Sequence, residues 1–212
     1  MGSTSGMDPG ETSGAVRGAA ADRAPGKPDR EDPYYLIMVW FIPLAVLPLL
    51  LGATPVPLTL HVNAKDKGTW IKRAVAVAND LFAGAGVELA VRRTLRFSRP
   101  GPEITSVAQR DLLARRVKRD RTIHVFLVER LANKDRSGSW IGGVHWRARG
   151  RRYIIVSRRG ALEDTLAHEL GHYFGLRHTK DPRNLMTSPG RERPARLSRW
   201  QLRRIRRRVR RK

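Results

Sequence analysis

Hydrophobic and polar residues divide the 212-residue chain into a polar segment, an apolar segment and a longer mixed region. Residues 1–33 contain almost no large apolar side chains, so burial cannot offset the entropy lost on ordering, and we expect disorder there. Residues 34–53 carry no charge. Residues 58–212 alternate short apolar runs with amphipathic stretches, which is the pattern of a folded domain. We interpret residues 54–57 as a Pro-containing linker between the two.

The apolar segment 34–53 is long enough to cross a membrane, since a helix of that length spans about 30 Å. A core helix is less favoured, because core helices of a domain this small are rarely apolar all round. A cleaved signal sequence is the other alternative, although the polar region before it is long for one. We expect an uncleaved anchor. Basic residues on both sides set its orientation only weakly, and we expect the domain to be extracytoplasmic, either membrane-anchored or secreted.

Periodicity within residues 58–212 predicts an α/β fold, because alternation indicates strands and a spacing of three or four indicates helices. In chain order, the expected elements are a strand at 58–62, a helix at 68–83, a strand at 87–97, a helix at 106–116, a strand at 122–128, a polar loop at 131–139, strands at 140–146 and 153–157 joined by a turn at 147–152, and a helix from 165. This order of strands and helices favours a layered α/β domain.

Composition excludes some kinds of functional site and leaves others open. The chain has no cysteine, so disulfides, thiolate metal sites and cysteine nucleophiles are excluded. Its formal net charge is +23, and a field of that sign attracts nucleic acid, anionic lipid or acidic polymers. An excess of arginine over lysine is also what a GC-rich genome produces without any selected ligand. Both interpretations of the charge stay open on composition alone.

The strongest chemical signal is the spacing His168-Glu169-x-x-His172-x-x-Gly175-x-x-His178. Residues four apart lie on one face of a helix, so His168 and His172 can offer two imidazoles to one ion. Gly175 permits the positive φ that ends a helix and turns the chain, which returns His178 as a third ligand. Three protein ligands leave a fourth position open, as in a catalytic zinc site.

Glu169 follows the first ligand, where its carboxylate can reach a zinc-bound water and act as general base. The alternative is an amphipathic helix whose histidines face solvent or core. That alternative is serious for a lone His-Glu-x-x-His. The amphipathic-helix alternative becomes much less favoured when the glycine and the third histidine stand at the expected spacing. The sequence therefore predicts one catalytic Zn²⁺ ion with an activated water.

On these residues the chain resembles the metzincins, the zinc peptidases that combine this extended motif with a methionine turn. Met186 stands where the turn methionine would lie. Within the metzincins the chain is most similar to the matrixins, on Thr179, Pro182 and Pro189. The resemblance implies a twisted, mostly parallel five-stranded sheet with an antiparallel edge strand, an active-site helix and a C-terminal helix, preceded here by the N-terminal hydrophobic helix. Residues 140–146 are the natural candidate for the edge strand.

The resemblance also implies that a peptide substrate adds to the edge strand by main-chain hydrogen bonds. The residues expected to contact substrate are Gly142, Gly143, Val144, His145 and Pro189. The chain departs from the matrixins in having no propeptide cysteine for latency and no histidines at 129–139 for a second zinc. After the methionine it has Pro189-Gly190-Arg191 where matrixins have Pro-x-Tyr, which alters the expected specificity pocket.

The segment 197–212 predicts a C-terminal helix. Ser198 and Gln201 form a capping-box pattern, and Leu202, Ile205 and Val209 make a narrow apolar stripe. We expect the first half to pack behind the active site and the basic end to make weak contacts with an anionic polymer or lipid.

The sequence as a whole favours a monomeric zinc endopeptidase acting on polypeptides. The alternative is a membrane-tethered basic binding or regulatory module with a vestigial zinc site.

Overall fold

The computed structural model describes residues 52–63, 68–188 and 190–211, all within the compact unit Pro43–Lys212. The predicted disordered segment 1–33 and all but the last two residues of the predicted span 34–53 lie outside these ranges. Within the described ranges, no helix has the length and apolar character needed to cross a membrane.

Seven strands and four helices make up the described domain. The strands are β1 (Thr54–Val62), β2 (Val87–Arg96), β3 (Glu103–Ile104), β4 (Ile123–Val128), β5 (Arg130–Leu131), β6 (Gly143–Ala148) and β7 (Arg151–Ser157). The helices are α1 (Thr69–Phe82), α2 (Val107–Leu113), α3 (Thr165–Tyr173) and α4 (Arg199–Arg210). Short 3₁₀ turns follow α1 and α2.

The main sheet has five strands in the order β2-β1-β4-β7-β6. Neighbouring strands are parallel except β6, which runs antiparallel to β7 at one edge. This confirms the predicted α/β fold with an antiparallel edge strand. β3 and β5 form a separate two-stranded sheet that was not predicted, because two residues are too few to show a period of two.

Two local predictions were wrong. Residues 54–57 are not a linker but the start of β1. Over these residues the strand pairs with β2 alone, and its pairing with β4 begins at Leu58. A strand tolerates proline at such an edge, since the missing N–H has no partner to lose. The predicted turn 147–152 is also shorter. Its ends belong to β6 and β7, and the reversal is confined to Arg149 and Gly150, whose φ angles are 50° and 70°.

Apolar clusters cover both faces of the main sheet. Alternate strand residues pack against α1, α3 and α4 on one face, and the others pack against the α2 region on the opposite face. β4 is buried along its whole length, which explains why its sequence is apolar except for His124. α3 packs against α1, β6 and β7, so the predicted active-site helix lies beside the edge strand.

Candidate active site

The end of α3 brings the third histidine of the motif back to the first two. Gly175 has φ 91°, and its N–H donates to the carbonyl of His172 at 2.9 Å. The N–H of Leu176 donates to the carbonyl of Gly171, also at 2.9 Å. These two bonds form a Schellman motif, which needs a left-handed residue at the glycine position. The chain reverses there and places His178 over the helix.

The three histidines point their Nε2 atoms at one another. Nε2 of His178 lies 3.0 Å from Nε2 of His172 and 3.3 Å from Nε2 of His168. One ligand atom from each residue lies within 4.8 Å of the other two. Nitrogens held about 2.05 Å from a tetrahedral zinc lie about 3.3 Å apart. The donor set therefore fits one zinc ion.

The other ring nitrogens fix the orientation of two ligands. Nδ1 of His168 donates to the carbonyl of Leu185 at 2.7 Å, and Nδ1 of His172 donates to the carbonyl of Leu176 at 3.0 Å. With Nδ1 protonated, the lone pair of each ring is on Nε2, as a metal ligand requires. Burial lowers the pKa of His168 to about 4 and also lowers the pKa of His172, so both rings are neutral near pH 7.

Glu169 is buried between α3 and β6, with 6% of its surface exposed. Burial raises the pKa of its carboxyl to about 7, although the backbone N–H of His145 and the charge of Arg191 oppose the shift. A Cβ at Gly143 would lie 2.9 Å from Cγ of Glu169 and 2.9 Å from Cγ2 of Thr165. Glycine at 143 is therefore what allows the edge strand to approach the carboxylate this closely.

A cleft of about 600 Å³ runs between β6 and α3. It is lined by the three histidines, Glu169 and all four predicted edge-strand residues, Gly142, Gly143, Val144 and His145. Pro189, the fifth predicted substrate-binding residue, lies outside the described residues. The structure thus brings the predicted ligands, carboxylate and strand together in one cleft.

Met186 is fully buried in the turn that follows His178. A Cβ at Gly171, between the two helical histidines, would lie only 2.5 Å from the sulfur of Met186. The methionine therefore packs directly against the face of α3 that carries the ligands. Gly171 is not predictable from the sequence, because the need for glycine there arises from a tertiary contact.

Arg191 and Asp164 form an ion pair that sequence reasoning also missed. Nε and Nη2 of Arg191 donate to the two carboxylate oxygens of Asp164 at 3.0 and 2.7 Å. Nη1 donates to the carbonyls of Leu185 and Thr187 at 3.0 and 3.2 Å. The carbonyl of Leu185 also accepts from His168, so the arginine ties the methionine turn and a candidate ligand to the start of α3. The only sequence signal was an arginine where the matrixin pattern has tyrosine.

The other histidines have different surroundings. His145 lines the cleft, and burial, Arg152 and His172 lower its pKa to about 4. His61 and His124 are buried on β1 and β4, where Nε2 of His61 lies 2.9 Å from Nδ1 of His124. Neither of these two lines the cleft, so they belong to the core.

Two solved structures share this architecture. An archaemetzincin from Methanopyrus kandleri has a TM-score of 0.53 and 19% identity over 74% of this chain and 97% of its own. Metalloproteinase-II from Bacteroides fragilis has a TM-score of 0.50 and 15% identity, covering 74% of this chain and 53% of its own. No family model and no curated protein matches the chain. The matrixin assignment stays a prediction. The described domain shares its fold with an archaemetzincin and a metalloproteinase.

Proposed function

We propose that this protein is a zinc-dependent endopeptidase. The observation that carries the proposal is the convergence of three Nε2 atoms, two of them fixed by Nδ1 hydrogen bonds, beside a buried carboxylate in an open cleft. His168, His172 and His178 would hold one Zn²⁺ ion. Solved structures with the same fold include a metalloproteinase, which supports the same conclusion.

The roles of the residues follow from their positions. A zinc ion bound by the three histidines supplies a Lewis acid that polarises the scissile carbonyl and lowers the pKa of a water toward about 7. Glu169 accepts the proton of the attacking water and passes it to the leaving amine. Its burial, which raises the pKa of the carboxyl to about 7, favours both taking and returning a proton near neutral pH.

β6 provides the template for the substrate. It ends the described sheet, so its outer edge carries main-chain groups that an extended peptide can pair with. Pairing along Gly143 to His145 holds the peptide over the histidine cluster. An endopeptidase needs this arrangement, because a long chain must enter and leave at both ends of the cleft.

The finer assignment is a matrixin-like metzincin with a single metal ion. It is supported by Thr179, Pro182 and the buried Met186. Arg191 sets this chain apart from the matrixin pattern, since it lines the cleft. We also propose that residues 34–53 anchor the domain to a membrane, on the uncharged sequence alone.

Cleavage of unfolded casein by the full chain tests the proposal. We expect activity that is lost on adding phenanthroline and restored by zinc. Glu169→Ala should lower the rate at least about 100-fold, since a general base contributes that much. Glu163→Ala is the matched control, because Glu163 is half exposed and lies outside the cleft lining. Equal activity of the wild-type and Glu169→Ala chains would refute the mechanism.

A binding module with a vestigial site is the second candidate, favoured by the strongly basic surface of α4. The two candidates separate in the same experiment. A chain that binds zinc at the three histidines and cleaves neither casein nor shorter peptides would support the binding module.

A further inference from the structure

α4 presents an uncompensated basic surface. Eight arginines between residues 199 and 211 are exposed: Arg199, Arg203, Arg204, Arg206, Arg207, Arg208, Arg210 and Arg211. In the described part of the chain none of them forms an ion pair. The sequence contains no acidic residue after Glu192, so no carboxylate side chain within this segment can neutralise them.

Four of these arginines line one groove. Arg204, Arg207, Arg208 and Arg211 follow the spacing i, i+3, i+4, i+7 and surround a concavity of about 290 Å³. At 1.5 Å per residue the row spans about 10 Å, the length of about three residues of an extended peptide. Guanidinium groups pair with carboxylates through two parallel hydrogen bonds, so the groove matches a short run of acidic side chains.

The groove is held firmly against the domain. A neighbouring face of α4 is buried through Gln201, Ile205 and Val209. The amide of Gln201 exchanges two hydrogen bonds of 2.9 and 3.0 Å with Asn184, in the turn that carries Met186. Arg206 donates to the carbonyl of Ala85 at 3.0 Å. A helix fixed in this way presents its arginines in a set arrangement, which lowers the entropic cost of binding.

Contacts link the groove to one end of the catalytic cleft. A Cβ on Gly175 would lie 3.6 Å from Nη2 of Arg204 and 3.9 Å from Nε of Arg208. Just before Gly175, the carbonyl of Tyr173 accepts a hydrogen bond from Arg152, whose guanidinium lies 4.4 Å over the tyrosine ring. Nε of Arg152 lies 3.4 Å from Nε2 of His145, which lines the cleft.

Positive charge therefore continues from the cleft to α4. Arg147, two residues beyond His145 on β6, and Arg208 on α4 both act on Arg152 electrostatically. A peptide lying along β6 past His145 would leave the cleft beside these arginines. Because this basic surface begins at the proposed peptide-binding strand, its position favours a polypeptide ligand over nucleic acid or anionic lipid.

We propose that Arg147, Arg152 and the α4 groove form a docking site for an acidic segment of the polypeptide substrate, outside the bonds being cleaved. The proposal rests on the proposed peptidase function for the identity of its ligand. The docking itself requires no catalysis and can be measured without it.

The test uses the full chain carrying Glu169→Ala and a fluorescent peptide that contains a run of glutamates. Binding is followed by fluorescence anisotropy. Adding Arg204→Gln, Arg208→Gln and Arg211→Gln should weaken binding about tenfold, since exposed ion pairs contribute about 0.5 kcal/mol each. The matched control adds Arg92→Gln, Arg93→Gln and Arg96→Gln on β2, three exposed arginines, and should change the affinity less than about twofold. If the groove variant unfolds, Arg211→Gln alone at the helix end replaces it.

Three outcomes would overturn the proposal. One is no binding of the glutamate peptide at low salt. Another is an equal loss in the two triple variants, which would mean attraction by net charge only. A third is tighter, groove-dependent binding of phosphatidylserine vesicles or of single-stranded DNA. Binding of the acidic peptide through the groove, together with a zinc-loaded wild-type chain that cleaves nothing, would contradict the peptidase function and leave the docking site standing.

Discussion

At the scale of single residues, the candidate site depends on two glycines as much as on its functional side chains. Gly143 lets β6 approach Glu169, and Gly171 lets the turn with Met186 approach α3. Both glycines lie where a Cβ would fall under 3.0 Å from a neighbouring atom. Neither has a positive φ, so close packing, not backbone conformation, requires glycine there.

Gly171→Ala should destabilise the fold by about 1–3 kcal/mol, because the new methyl group forces Met186 to move within a packed core. Since Met186 supports the ligand face of α3, zinc affinity should also fall. Urea denaturation and zinc competition with a chromophoric chelator measure the two effects. Gly101→Ala is the control, since nothing lies within 4 Å of its Cβ position. Unchanged stability in the Gly171 variant would contradict the described packing.

The ion pair between Asp164 and Arg191 supplies a second prediction at this scale. Only 8% and 10% of these side chains are exposed, and removing one partner of a buried pair typically costs about 3 kcal/mol. Asp164→Asn should therefore lower the free energy of unfolding by about that amount. Arg193, 3.5 Å from the same carboxylate, adds to the uncompensated positive charge.

An exposed pair provides the comparison. Glu192→Gln removes the partner of Arg183, where both side chains are more than half exposed, and should cost no more than about 0.5 kcal/mol. Chemical denaturation of the Asp164→Asn and Glu192→Gln variants at one salt concentration compares the two losses in the free energy of unfolding. Equal effects would show that the Arg191 pair does not hold the methionine turn.

At the scale of elements, β1 and β4 are joined by a buried histidine pair. His61 stacks on Phe126 with ring centroids 4.3 Å apart, and His124 extends the network to Asp120 at 3.2 Å. Burial is the main cause that lowers the pKa of both, to about 4 for His61, where His124 and Arg116 contribute and Asp120 opposes. The two strands are thus linked by rings that must stay neutral.

This network predicts loss of stability in acid. The unfolded histidines bind protons near pH 6.5, whereas His61 in the folded chain does so near pH 4. The unfolded state therefore binds more protons between these values, and the free energy of unfolding decreases as the pH falls from 6.5 to 4. His61→Phe should make that decrease shallower by up to about 1.4 kcal/mol per pH unit. Urea titrations at pH 7, 6, 5 and 4 in chelator measure it, and identical slopes would contradict the network.

The sequence predicted those elements whose signal is local. The Schellman turn at Gly175 and the capping box of Ser198 and Gln201 were readable, because each is set by residues within one helical turn. The start of β1 could not be predicted in this way, because its prolines are tolerated only where β1 does not pair with β4. Arg191 and Asp164 lie 27 residues apart, and no local pattern records such a contact.

At the scale of the whole molecule, several of the few acidic residues are buried, whereas most of the described basic residues are exposed. The formal net charge is +23, yet Asp164 and Glu169 are buried at the candidate site and Glu129 is buried against Arg158. Among the described residues most of the positive charge is exposed, with Arg110 a buried exception, and on α4 it has no described carboxylate partner. The fold therefore concentrates negative charge where chemistry or packing requires it and leaves the surface basic.

Zinc titration of the chelator-treated full chain tests the proposed function most directly, with casein hydrolysis followed after each addition. We predict that activity rises with added zinc and levels off at one ion per chain. The Glu169→Ala chain should bind the same single ion and remain at least about 100-fold slower. Full hydrolysis before any zinc is added, or an undiminished rate in the Glu169→Ala chain, would contradict a zinc peptidase that works through this carboxylate.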